Sequence, residues 1–315
     1  MAELPSQGEK GDSSLSEQHC LPLPQKISTS AADLVLDKPD PLPSPFAAEE
    51  LTETNPTPQP QPNPVPESKE PAETPEQEIK DAENPITDRI SIPIVNRTAF
   101  GIGSFDRNAN ATVIQPVLPI SLGENYLVVR PSLPFVYVPT IRQLQGGNYG
   151  LGDVSMQAYF VPKPTGNLTW GFGPTFLFPT ASDRTLGFGK WGIGPALVAV
   201  WQGERLTVGG QIRNYWSVAG DGGRPNVSQL TVTPLVTYIL GNGWYLVSAP
   251  VITAFWNIPG EKWVIPIGGG IGKIFKISDR PFSISVQAYW QPIRPANADG
   301  GWALVVQLNS LFPRK

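Results

Sequence analysis

Residues 281–290 read PFSISVQAYW, and they decide the fold. Phe282, Ile284, Val286, Ala288 and Trp290 alternate with Ser283, Ser285, Gln287 and Tyr289. A period of two defines a β-strand with one apolar and one polar face. The stretch is too short for a membrane helix, which needs about 20 apolar residues. Its apolar side nonetheless ends in an aromatic ring at each end, so the fold turns on which solvent that side meets.

The same texture fills the chain from about residue 88 onward. Twelve alternating runs are predicted, at 89–101, 111–122, 125–138, 151–162, 168–180, 191–202, 206–218, 229–240, 244–257, 263–277, 281–294 and 302–312. Tight connections such as GEN, GER, GNG and SDR alternate with longer ones such as ASDRTLGFGK and GDGGRPNV. Short–long alternation along a meander marks a barrel with one plain and one elaborated rim. Strands of about 12 residues, rising ~3.3 Å each and tilted near 40°, cover ~30 Å, enough to cross a bilayer's apolar core.

A soluble β-protein carries Lys, Glu, Arg and Asp on its outer face. Here the polar phase is mostly uncharged: Gln115, Ser155, Gln157, Tyr159, Thr175, Gln211, Thr231, Ser283, Gln287, Gln307 and Asn309. The other phase is apolar and aromatic, as in Leu127, Val129, Leu133 and Phe135, or Trp170, Phe172, Phe176 and Phe178. Seven tryptophans fall at or near strand ends, where amphipathic rings favour a membrane interface. The reading is an all-β, transmembrane antiparallel meander β-barrel of about twelve strands, apolar phase to lipid and polar phase to a lumen. A backbone diameter of roughly 24 Å leaves a lumen of about 10 Å once side chains are placed. Nine strand prolines, each lacking a ladder donor, have to be absorbed by bulges or lumen water.

Residues 1–87 differ in kind. They hold nearly half of the 36 prolines, no Trp or Tyr, and a net charge of −12; residues 88–315 carry +8. The segment is expected to be a disordered, acidic, Pro-rich extension on the periplasmic side, running to residue 87 before the barrel at 88–315. Its acidic stretch can dock at the basic barrel's mouth and gate it. The start, MAELPSQGEKGD, shows no signal-peptide pattern, and a processed or displaced start is expected if the chain is exported.

GLGDVSMQAYFVPK (150–163), GPTFLFPTASDRTLGFGKWGIGPA (173–196) and YWSVAGD (215–221) resemble a bacterial outer-membrane β-barrel family. Its members often carry the misleading label "neuromedin U", and it is related to the transporter barrels of phenol degradation (the MetA pathway). The resemblance implies an exported outer-membrane barrel, possible passage of small molecules, and assembly by the barrel-assembly machinery. Barrels of this class usually end on an aromatic residue, so Phe312, in phase with Trp302, Leu304, Val306 and Leu308, is the candidate assembly signal.

The sole histidine, His19, and sole cysteine, Cys20, lie in the extension. A histidine-based hydrolytic site in the barrel and a zinc site of the usual kind are therefore unsupported. No catalytic, cofactor or metal residue is assigned, and no nucleic-acid partner. GGGIGK (268–273) lacks the remaining spacing of a phosphate loop and reads as small residues making room in the lumen. Arg130, Asp153 and Arg213 fall on the lumen phase: either a charge-selective constriction or, preferred because isolated lumen charges usually pair, an internal ion-pair network. Lys273 has no settled phase. Asp183, Arg184, Lys190, Asp221 and Arg224 lie on the long-loop rim, as substrate recruiters, solvated tips or contacts for lipopolysaccharide.

The function these readings give is a channel for small molecules with mild anion preference. The alternative is a non-conducting structural or adhesion barrel plugged by its own bulky lumen residues, among them Tyr159, Tyr215 and Tyr289.

Overall fold

Every strand that alternates in the sequence pairs with its neighbour, and the last pairs with the first. The computed structural model describes residues 73–140, 146–257, 259–295 and 300–312; the extension through residue 72, with His19 and Cys20, lies outside the described residues. A helix, α1 (Pro75–Glu83), precedes fifteen strand segments. These are β1 (Ser91–Ile102), β2 (Arg107–Ile114), β3 (Leu118–Leu122), β4 (Asn125–Pro139), β5 (Gly147–Leu151), β6 (Ser155–Val161), β7 (Leu168–Leu177) and β8 (Lys190–Gln202). They continue with β9 (Leu206–Gly220), β10 (Ser228–Gly241), β11 (Trp244–Ser248), β12 (Ile252–Phe255), β13 (Trp263–Ile277), β14 (Arg280–Ile293) and β15 (Trp302–Leu311).

The pairs β2/β3, β5/β6 and β11/β12 each share one stave, giving twelve antiparallel staves in chain order. Pairing of β1 with β15, from Ser91↔Leu311 to Phe100↔Trp302, closes the barrel. Closure leaves no sheet edge and lets each ladder satisfy backbone groups internally, as a bilayer demands. No described helix is long or apolar enough to cross a membrane.

The interruptions answer the proline problem. Pro116 lies in the gap between β2 and β3, and Pro250 in the gap between β11 and β12. Pro266 sits at the register shift in the β13–β14 ladder. Pro174 and Pro195 face each other across β7–β8. The ladders on their far sides, β6–β7 and β8–β9, skip the register next to each proline. Breaks and bulges thus take up the missing donors at these positions, whereas Pro131 and Pro234 sit in unbroken register.

The 281–290 alternation is resolved by burial. Ser283, Ser285, Gln287 and Tyr289 are buried inside the barrel, whereas Ile284, Val286 and Trp290 are exposed outside. Trp191, Trp216, Trp256, Trp290 and Trp302 ring the outer wall near the long loops, and Trp201 and Trp244 near the short turns. Lys273 belongs to this outer phase, with its Nζ 4.6 Å from the centre of the Trp244 ring, so it is not a lumen charge. A polar patch also interrupts the outer wall. Asn96 and Thr98 on β1 face Thr112 and Asn110 on β2, and the two amides bond each other and both hydroxyls at 2.8–3.1 Å. Mutual satisfaction offsets the cost of polar groups on that face.

The extension does not stay unstructured to residue 87, as expected; residues 73–90 turn into the barrel. Thr74 caps α1, its Oγ1 accepting from Gln77 N at 3.3 Å, with Pro75 in the first turn, Glu76 and Glu78 after it, and Lys80 in the last turn. These are the residue types that favour each end of a helix. Ile79 and Ala82 are buried against Leu235, Ile239, Tyr245, Val247, Ile274 and Leu311, all on inner walls. The helix is the apolar core that the lumen lacks by itself.

Glycine on β13 makes this packing possible. Tyr245 lies across Gly272, where a Cβ would sit 2.2 Å from the ring. Gly272→Val is therefore expected to displace Tyr245 at a cost of about 1–3 kcal/mol. It should lower, by several degrees, the temperature at which the folded band is lost in heat-modifiable gel mobility.

Candidate functional site

The lumen is layered from the short-turn rim to the long-loop rim, and each layer comes from named positions on successive strands. Around α1, four staves supply polar contacts as well as packing. Gln202 Nε2 donates to the Lys80 carbonyl at 3.0 Å, and Asn309 Nδ2 to the Ala82 carbonyl at 2.8 Å. Lys276 pairs with Glu78 at 3.0 Å. Arg89, itself buried, pairs with Glu73 and with Asp81 and donates from Nε to the Phe312 carbonyl at 2.5 Å. Tyr245 donates to Glu83 Oε1 at 3.0 Å and touches Ser283 Oγ at 2.5 Å. A helix with its side chains is ~10–12 Å across, about the width left inside a twelve-strand barrel. The helix fills its half of the lumen.

Glu83 gives the docked helix a pH dependence. Burial pushes its carboxyl up to about 7 from 4.5, against the opposing effect of the Tyr245 hydrogen bond. An acid with a higher pKa docked than free takes up a proton on docking between those two values. Docking is therefore strongest below about pH 4.5, weakens as pH rises towards about 7, and is constant above, a change on the order of 3 kcal/mol. A spin label at residue 76 in a Cys20→Ser chain should become more mobile between about pH 5 and pH 7.5. Glu83→Gln should abolish that change, and an unchanged pH response in that variant would contradict the assignment to Glu83.

On the β4–β9 side the lumen wall beside α1 is dry. Val128, Tyr159, Val161, Ala196, Val198 and Val200 pack with Val117 and with Ile86 from the strap after α1. One tier towards the long loops, Arg130, Gln157 and Thr175 lie side by side on β4, β6 and β7, with Arg213 on β9 facing the same space. Arg130 Nη1 donates to Gln211 Oε1 at 3.0 Å, reaching from β4 to β9 across the barrel, and Tyr159 donates to the same oxygen at 3.4 Å. Neither Arg130 nor Arg213 pairs with a carboxylate among the described residues. The preferred ion-pair network is not what the structure shows.

Asp153 does other work. It accepts from Ala181 N at 3.1 Å, Phe188 N at 2.5 Å and Gly189 N at 3.3 Å. It pins the 178–189 loop over a cavity of about 290 Å³, which is lined by Arg97, Val136, Leu177, Tyr215, Val251 and Phe255 among others. Arg97 is a lumen cation that strand phase on 89–101 held in plain view and the sequence reading passed over.

The loop candidates are stitched to one another. Arg184 pairs with Asp221 at 2.9 Å. Arg224 donates to the Gly187 carbonyl at 2.7 Å and to that of Arg184. Asp183 accepts from Thr185 N and Oγ1 at 2.8 and 2.7 Å, bonds that hold its carboxyl below the usual range. Lys190 is buried at the start of β8. Phe312 lies on the outer phase with its ring 4.7 Å from Arg280 Cζ and its N–H on the Ile90 carbonyl at 2.9 Å. No described group of three or more His, Cys, Asp or Glu is placed to hold a metal ion.

A closed, lipid-faced barrel with a polar, partly filled lumen is a transmembrane β-barrel. Among solved structures, the chain is similar to the COG4313 outer membrane channel from Pseudomonas putida F1. The two share 15% identity and a TM-score of 0.58 over 74% of this chain and 98% of that one. Lesser likenesses include the NanC porin, at 11% identity and a TM-score of 0.45 over 71% of this chain and 99% of that one. The CymD monoaromatic hydrocarbon channel follows at 8% identity and 0.40, over 70% and 86%. No protein-family model matches the chain, and no curated protein does.

Proposed function

We propose that this protein is an outer-membrane channel, not an enzyme, that passes small molecules and is closed at rest by α1. The observation that carries the reading is the lumen itself: a cavity of about 290 Å³ on the long-loop side and a removable helix, not strand-borne side chains alone, on the other. The helix is held by the packing of Ile79 and Ala82 together with ion pairs and hydrogen bonds from the inner wall, and no covalent link or backbone ladder ties it there. The fold shared with the P. putida channel supports the outer-membrane location. In this reading both termini face the periplasm, the short turns lie on that side, Phe312 serves barrel assembly, and the stitched long loops meet lipopolysaccharide.

The buried helix also favours a second reading, a permanently plugged structural barrel. Single-channel recording of the refolded full chain in a planar bilayer separates the two. The channel reading expects infrequent, stable ohmic openings. Silence from protein shown to be folded by heat-modifiable mobility, with and without residues 1–83, supports the structural barrel.

A further inference from the structure

The tier between the dry wall and the cavity holds more donors than acceptors. Arg130 is 7% exposed, Gln157 1% and Thr175 0%. Four of the tier's polar atoms have no hydrogen-bond partner among the described residues: Arg130 Nε, Arg213 Nε, Gln157 Nε2 and Thr175 Oγ1. Each can donate, and the one acceptor that Arg130 finds, Gln211 Oε1, is uncharged. Of the other orphaned atoms, that of Asn214 lies on the outer face of β9 beside Trp256, Gln229 Oε1 is an acceptor lining the adjoining cavity one tier above, and those of Thr237, Gln291 and Asn309 are on other strands.

Arg130 and Arg213 are also brought together. Gln211 and Arg213 are two residues apart on the same face of β9, about 7 Å along the strand. By anchoring on Gln211, the Arg130 guanidinium is held beside that of Arg213. Arg130 is buried and Arg213 half-buried with its Nε shielded; two like charges so placed, with no carboxylate between them, are costly unless an anion joins them. The nearby acid, Asp153, is committed to three backbone N–H groups of the loop.

We infer that Arg130, Arg213, Gln157 and Thr175 form a binding site for the carboxylate of a small organic acid with an apolar body. Planar guanidinium forks match a carboxylate, and neutral amide and hydroxyl donors complete its shell. The body fits the adjoining cavity, where Leu177, Val251 and Phe255 present apolar surface. A volume of about 290 Å³ limits the ligand to something near a single aromatic ring. As a statement of substrate class this rests on the channel reading, but the site can be tested without conduction.

The probe is benzoate, titrated calorimetrically into the full chain folded in detergent, with benzamide and inorganic phosphate as comparisons. Benzoate should bind saturably, and benzamide at least tenfold more weakly. The Arg213 side chain makes no hydrogen bond among the described residues, so Arg213→Gln should weaken benzoate at least tenfold while keeping heat-modifiable mobility. Arg213→Lys, which keeps the charge without the fork, should fall between. Absence of benzoate binding, or equal binding by the Arg213→Gln chain, overturns the site; tighter binding of phosphate than benzoate overturns the carboxylate assignment. A silent barrel that binds benzoate sinks only the channel reading, and a conducting one that does not bind it sinks only this inference.

Discussion

A chain lacking residues 1–83 should conduct severalfold more current per open channel than the full chain, and should stay open longer. The deletion removes α1 with Ile79, Ala82 and Glu83, and strips Arg89 of Glu73 and Asp81. What is left facing the short-turn rim is Leu235, Ile239, Tyr245, Val247, Ile274 and Leu311, a wall around an aqueous space of about 10 Å. The barrel itself should survive, because its closure runs through β1 and β15 and not through the helix. Equal conductance in the two chains, each proven folded, would mean that the helix does not block the path.

The second large effect is expected from a single buried atom group. Ile79 is fully buried, one of eight core side chains, and Ile79→Asp both removes its packing and sets a charge in its place. Loss of packing alone costs about 2–5 kcal/mol for a truncated isoleucine, and an unpaired buried carboxylate adds to that. A helix nine residues long has little stability outside its packing, so it should leave the lumen. The variant is expected to reproduce the conductance of the truncated chain. Ile79→Leu, which keeps volume and polarity, should behave as the parent does. If Ile79→Asp still records as closed, the ion pairs of Arg89 and Lys276 hold the helix without its apolar face.

Strand number, membrane faces and aromatic rims were legible because each repeats around the barrel and each obeys one rule, a period of two. The 263–277 run matches β13 end to end. Two staves that break, at 115–117 and 249–251, were read as continuous because alternation resumes in phase on the far side of each break. β5 reads as loop, because across 152–154 the phase flips, Leu151 facing out with Phe135 and Gln157 facing in with Arg130. α1 was missed for a different reason. Composition from residue 55 to 78 is so rich in Pro and Glu that it hid a local start signal, Thr74-Pro75-Glu76, followed by Ile79 and Ala82 at helical spacing. A tertiary partner, the inner wall, supplies the burial that the segment cannot find alone.

At the site, strand phase brought Arg130 and Arg213 to the lumen, but no pattern in one chain reports which charges meet. Asp153 shares their phase and yet turns to loop backbone, since three N–H groups offer it better satisfaction than a guanidinium a tier away. Lys273 shows the limit on a glycine-rich strand, where alternation has few large side chains to read. Its outward aim is fixed by Trp244 across the ladder.

The central claim is that α1 occupies the lumen and shields the wall behind it. Ile239, 2% exposed beneath the helix, offers the direct test. In a Cys20→Ser chain carrying Ile239→Cys, the rate of labelling by a membrane-impermeant thiol reagent should be slow, and should rise by about two orders of magnitude when residues 1–83 are removed, as a buried thiol becomes exposed. Equally fast labelling in both chains would contradict the account.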